Sequence, residues 1–186
     1  SRASRFSARC LQSGLSVASM ASAPATVSYG RVLRSSVAEG PGIRSVLWVA
    51  GCSIRCAGCF NPHLFEREGS PAATVDELAV LLTAAPDIEG VTFLGGEPFE
   101  QAPSLARLAG LIRASGRSVM TFTGYRLEHL RAGRMPGAKA LLAATDLLVD
   151  GPFLRQKIDH TRPWVGSTNQ RIIPLTPRYR EVVEDL

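Results

Sequence analysis

No apolar run in the sequence approaches the roughly 20 residues that span a bilayer. The longest apolar stretches, such as Leu78–Ala85, suit one buried face of a helix. An integral helical membrane protein is excluded on that ground. Concentrated positive charge is also missing. The formal net charge is +5, but Arg2, Arg5 and Arg9, in the acid-free stretch 1–19, supply three of those charges. No tight Lys/Arg run follows, so a solvated surface accounts for the balance and no nucleic-acid footprint is expected. Cysteine is scarce, at four residues in 186, and three of the four fall within eight positions. They are too close together to staple a fold of this size as disulfides. Clustered thiols in a reducing compartment more often bind metal.

What remains is ordinary globular material: 45% hydrophobic and 20% charged residues in a chain long enough for one domain with its own core. The segment Ser1–Pro24 is rich in Ser, Ala and Arg and offers little to a core. Two readings compete for it. It has the composition of an organellar transit segment; alternatively Met20 is the true start and the residues before it come from the gene call. The second is favoured, and in either case residues 1–26 are expected to be a disordered extension, with the domain spanning 27–186.

Within the domain, short β-like runs alternate with helical stretches. Ser45–Ala50 is a compact apolar run ending at Gly51, as a buried parallel strand would be. Thr74 with Glu77 three residues on forms a capping-box pattern, and Leu78, Leu81 and Leu82 give the helix behind it an apolar stripe. Val91–Leu94 predicts a strand running into Gly95-Gly96-Glu97-Pro98. A helix over 104–115 follows, with Leu105, Leu108, Leu111 and Ile112 on one face and Gly116 as its C-terminal cap. Ser118–Thr123 predicts a strand, 126–144 a helix broken near Gly133–Gly137, and Asp146–Val149 a strand ended by Asp150-Gly151-Pro152. Arg171–Leu175 is a last apolar run. This alternation implies βαβ units, a mainly parallel sheet and an α/β fold. The chain is too short for eight βα repeats, so an open, partial barrel is expected. Each unusual motif falls just after a predicted strand, where parallel α/β folds place their active sites.

Cys52, Cys56 and Cys59 are spaced C-x3-C-x2-C. Three thiolates on one loop suit three irons of a cubane cluster, leaving the fourth iron open, and Gly51 and Gly58 permit the tight wrapping. The cysteines alone leave zinc open, since His63 could complete a Cys3His tetrahedron. Trp48 and Trp164 read as packing residues.

With these motifs in hand, the chain resembles the radical S-adenosylmethionine superfamily, whose signature is C-x3-C-x2-C followed by an aromatic residue, here Phe60. Within it the chain is similar to the small glycyl-radical activating enzymes, in particular those of anaerobic ribonucleotide reductase. Glu39-Gly40-Pro41-Gly42-Ile43-Arg44, Gly95-Gly96-Glu97-Pro98, Thr123-Gly124-Tyr125, Leu148-Val149-Asp150-Gly151 and Gly166-Ser167-Thr168-Asn169-Gln170 carry the resemblance in order, over about residues 29–175. It implies that Cys52, Cys56 and Cys59 ligate one [4Fe–4S] cluster and that S-adenosylmethionine chelates the open iron. It also implies that Gly95, Gly96 and Glu97 receive the methionine amino group, with Thr123 and Asp150 lining the pocket. Asn169 and Gln170 would order the C-terminal loop or face the partner.

The activity so implied is reductive cleavage of S-adenosylmethionine to a 5′-deoxyadenosyl radical, which makes a glycyl radical on a partner, the large subunit of anaerobic ribonucleotide reductase. A flavodoxin or ferredoxin would supply the electron, in a reducing cytoplasm without oxygen. With only Cys10 outside the motif, no auxiliary Cys-ligated cluster is expected. Pro152 and Phe153 stand where relatives often have Lys and an aromatic residue, which bears on the partner. The alternatives are a small-molecule radical enzyme similar to 7-carboxy-7-deazaguanine synthase and, from another class, a non-catalytic zinc-binding adaptor.

Overall fold

The computed structural model describes residues 24–186. The expectation for the N-terminal extension therefore falls, for residues 1–23, outside the described residues; strand β1 opens at Thr26. Seven strands form one sheet in the order β3-β1-β2-β4-β5-β6-β7. They are β1 (Thr26–Ser36), β2 (Arg44–Val49), β3 (Ala72–Thr74), β4 (Gly90–Gly95), β5 (Ser118–Phe122), β6 (Leu147–Asp150) and β7 (Arg171–Pro174). The helices are α1 (Val75–Thr83), α2 (Ala102–Ala114), α3 (Leu127–Arg131), α4 (Ala138–Ala144) and α5 (Arg180–Glu184). No helix among the described residues is long and apolar enough to cross a membrane.

The centre of the sheet is parallel, β2-β4-β5-β6, and both flanks are antiparallel. The sheet is therefore mixed rather than mainly parallel throughout, and it is open: edge strands β3 and β7 lie at opposite ends of the order. β7 reverses because it returns from β6 by a loop, without the crossover helix that a parallel neighbour needs. β1 escaped the sequence pattern because register shifts fall between Tyr29 and Arg31 and between Leu33 and Ser36. Such irregularities break the two-residue alternation that marks a strand.

The register sorts the residues of the parallel strands onto two faces. Leu47, Val49, Val91, Phe93, Val119 and Leu148 join Leu78, Leu82, Leu105, Leu108, Ile112, Leu130 and Leu141 of α1 to α4 in the main core. On the other face Met120, Leu147 and Val149 pack with Val165 and Tyr179 from the C-terminal segment. Helix α1 begins with the predicted capping box. The Glu77 N–H donates to Thr74 Oγ1 at 3.2 Å, and the Thr74 N–H donates to Glu77 Oε2 at 2.8 Å. The break predicted between 133 and 137 separates α3 from α4, with Gly133 and Gly137 both at positive φ.

Arg44 is a fully buried guanidinium at the starting ends of the parallel strands. Its Nε donates to Thr92 at 2.7 Å. Nη1 reaches Ser118 Oγ at 3.0 Å and Tyr179 Oη at 3.1 Å, and Nη2 reaches the Val91 carbonyl at 2.9 Å. Among the described residues no carboxylate touches it directly; Glu89 sits one step away, accepting from Tyr179 at 2.7 Å.

Candidate functional site

The carboxyl ends of β2, β4, β5 and β6 open onto a single cleft of about 340 Å³, within the size range of small-ligand pockets. Its walls include Cys52, Cys56 and Cys59 after β2, Gly95, Gly96 and Glu97 after β4, Thr123 and Gly124 after β5, and Gly151 and Phe153 after β6. Motifs separated by up to about a hundred residues thus meet because parallel neighbours deliver every loop to the same edge of the sheet.

Backbone hydrogen bonds set the cysteine loop against the turn after β4. The Gly96 N–H donates to the Val49 carbonyl and the Glu97 N–H to the Gly51 carbonyl, both at 2.8 Å. The loop closes on itself where the Gly51 N–H meets Leu64 O at 2.8 Å and the Cys52 N–H meets Phe65 O at 3.0 Å. A Cβ on Gly96 would collide with the Gly51 carbonyl oxygen, so only glycine permits this approach. Gly124 permits a second close approach, since a Cβ there would lie 2.6 Å from Ile54 Cδ1 of the cysteine loop.

The three thiols are each partly buried. Burial pushes the thiols of Cys52 and Cys56 up, so binding a soft metal would have to displace their protons. Among the described residues no three His, Cys, Asp or Glu side chains converge to hold a single ion. His63 is exposed, in the short turn Pro62–Leu64, and does not line the cleft, so the Cys3His tetrahedron is not assembled. The three thiols share one cleft, and thiolate is the donor that iron–sulfur clusters take.

Glu97 is buried, with its carboxylate bridging two strand ends. Oε1 accepts from the Phe99 N–H at 3.0 Å and from the Thr123 hydroxyl at 2.8 Å, and Oε2 accepts from the Gly124 N–H at 2.8 Å. Burial raises its pKa to about 7 against the lowering effect of these donors. Thr123 lines the cleft, but its hydroxyl is spent on Glu97 and on accepting the Tyr125 N–H at 3.1 Å.

Asp150 lies elsewhere. Fully buried, its carboxylate accepts the Leu127 N–H at 2.7 Å, at the start of α3, and Arg171 Nε of β7 at 2.8 Å. It holds α3 and β7 to the end of β6 rather than facing the cleft, whereas its neighbour Gly151 does line it. Gln170 stitches the C-terminal loop: Oε1 accepts the Gly166 N–H, and Nε2 donates to the Gly151 carbonyl at 2.9 Å. Asn169 donates to the Pro152 carbonyl at 2.8 Å.

Several wall residues were not expected at the site from the sequence. Trp164 lines the cleft with φ of 64°, uncommon for a bulky residue. Phe60, 71% exposed, and Phe153 flank the mouth with ring centroids 4.9 Å apart. Leu94 and Phe122 enter as the last residues of their strands on the inner face, which pairing register reveals and composition does not.

Comparison with known proteins matches residues 38–173 to the family of 4Fe-4S single cluster domains. The anaerobic ribonucleoside-triphosphate reductase-activating protein of Escherichia coli K12 is 30% identical over 152 residues, covering 77% of this chain and 96% of that protein. The protein of the same name from Enterobacteria phage T4 is 30% identical over 153 residues, covering 78% and 93%. That of Vibrio cholerae is 29% identical over 154 residues, covering 78% and 97%. The cleft with three thiols and the near full-length match agree: this chain belongs to the 4Fe-4S single cluster domain family and, within it, to the anaerobic ribonucleoside-triphosphate reductase-activating proteins.

Proposed function

We propose that this chain is a radical S-adenosylmethionine activase that installs a glycyl radical on an anaerobic ribonucleotide reductase, with residues 27–186 as its catalytic domain. The observation that carries the reading is the meeting of Cys52, Cys56 and Cys59 with the Gly95-Gly96-Glu97 turn in one cleft. Cys52, Cys56 and Cys59 would hold one [4Fe–4S] cluster, and the Gly95-Gly96-Glu97 side of the same cleft would receive S-adenosylmethionine. Bound there, the pair supplies one-electron cleavage chemistry that ordinary side chains lack. An electron from a flavodoxin or ferredoxin, in a reducing cytoplasm, is part of the same reading. The strand order β2-β4-β5-β6, with α1 to α4 packed on one face, is read as an arc of a parallel β/α barrel whose open side admits a protein substrate.

The chain's own residues bind, orient and exclude water. Glu97 Oε2, with one protein donor, keeps a lone pair for the methionine ammonium, and an arriving cation would offset the burial of this carboxylate. Thr123 and Gly124 hold that carboxylate in place. Phe60, Phe153 and Trp164 give the mouth an apolar rim against water.

The test is anaerobic reconstitution with iron and sulfide, followed by EPR of the reduced protein with and without S-adenosylmethionine. The expected result is a [4Fe–4S]+ signal that changes on adding S-adenosylmethionine, then a glycyl-radical signal when the reductase is mixed in. A zinc-loaded protein without iron would overturn the reading, as would a cluster indifferent to S-adenosylmethionine. Turnover of a pterin substrate by the chain alone would instead select the small-molecule reading.

A further inference from the structure

Beside the cysteines, one carboxylate ties together the loops that follow β2, β4 and β5. Glu100 lies in the short turn Pro98–Gln101 after the Gly95-Gly96-Glu97 motif. Its Oε1 accepts the backbone N–H of Ser53 at 2.8 Å and the Ser53 hydroxyl at 2.5 Å. Ser53 directly follows the first cysteine of the loop. The Tyr125 hydroxyl, from the loop after β5, reaches the same Oε1 at 3.4 Å, and Tyr125 is stacked on His129 of α3. Arg67 adds a second connection, its Nη2 donating to the Glu100 carbonyl at 2.7 Å. The Arg67 stem crosses the face of Gly51, where a Cβ would lie 2.5 Å from it.

We infer that Glu100 is a positioning residue for the metal loop: by holding the Ser53 backbone it fixes where the Cys52 thiolate is presented. The inference rests on the cluster reading above. Its physical basis is that groups which orient metal ligands control affinity without touching the metal. The loop that carries the three cysteines, from Cys52 to Asn61, contains no helix or strand to hold it, and Oε1 restrains its backbone at the end where the first ligand sits. Glu97 and Glu100 divide the work: the first joins the ends of β4 and β5, and the second joins the cysteine loop to both.

The experiment compares wild type, Glu100→Gln and Glu100→Ala after anaerobic reconstitution with iron and sulfide. Bound iron, the rate of iron loss to a chelator and the EPR line shape are read, together with thermal unfolding of the cluster-free chains. Glu100→Gln retains an oxygen that can accept both Ser53 bonds, so it should match wild type. Glu100→Ala should lose iron on the order of tenfold faster, with a broadened signal, while its cluster-free melting stays near wild type. Should Glu100→Ala fail to fold, Ser53→Ala takes its place, since it removes only the hydroxyl bond, and loss should quicken about threefold. Equal retention in all variants overturns the inference, and so does equal loss in Glu100→Gln and Glu100→Ala. If wild type itself binds no cluster, the failure lies with the cluster reading instead.

Discussion

At the scale of single residues, side chains that share a motif divide into those facing the cleft and those bracing it. Asp150 braces, with Leu127 and Arg171 as its partners. Replacing it with Ala should cost about 2 kcal/mol, below the roughly 3–5 kcal/mol of a fully buried pair, because Arg171 is partly exposed and keeps Glu128 at 2.9 Å. Urea denaturation reads that loss, and iron content after reconstitution should stay at the wild-type level. Glu97 carries a pH signature. Its folded pKa near 7 lies above the ordinary 4.5. Well below pH 4.5 the carboxyl is protonated in both states and folding carries no penalty. Between 4.5 and 7 the unfolded chain releases a proton that the folded chain keeps, so stability falls as pH rises, by roughly 3 kcal/mol in all. Stability of the cluster-free chain measured from about pH 5 to about pH 8 should therefore decline more steeply in wild type than in Glu97→Gln; parallel profiles would count against a buried, proton-holding Glu97.

At the scale of elements, the decisive contact is between two turns. The turns after β2 and β4 meet backbone to backbone at the Gly96 and Glu97 N–H groups and the Val49 and Gly51 carbonyls. A methyl at Gly96 would push the Gly51 carbonyl, and with it the start of the cysteine loop, away from β4. Gly96→Ala should still fold, since the added methyl would meet the Gly51 and Val49 backbone and no core side chain. Iron uptake should fall by at least about tenfold, by the same ligand-placement logic that applies to groups supporting a metal. Circular dichroism and iron analysis of one preparation check both halves.

Across the whole molecule, the two ends of the parallel strands do different work. The carboxyl ends hold the cleft. The starting ends are clamped by Arg44, which gathers Thr92, Ser118, Val91 and Tyr179 from neighbouring strands and the C-terminal segment. Arg44→Ala leaves a cavity and several buried acceptors without a donor, and should cost about 4 kcal/mol. Tyr179→Phe removes a single hydroxyl from that network and should cost about 1 kcal/mol. Chemical denaturation orders the two, and both proteins, where folded, should still take up iron because the clamp lies at the far end of the sheet.

The sequence by itself determined the local elements and marked one cluster of thiols as a metal site. Three clustered cysteines, the capping box at Thr74, the apolar run before Gly51 and the glycine break between α3 and α4 are all short-range patterns, and short-range patterns survive in a linear chain. Whether a polar side chain faces the cleft or braces it was decided only by tertiary structure. Thr123 and Asp150 look alike in sequence, each at the end of a strand before a glycine, yet one lines the cleft and the other turns to Arg171, 21 positions away. Arg44 could be quoted as part of a motif, but its burial depends on Tyr179, 135 residues on. Glu100 meets Ser53 across 47 residues. Such partners are set by which strands become neighbours and in what register, and these follow from packing the whole sheet against its helices.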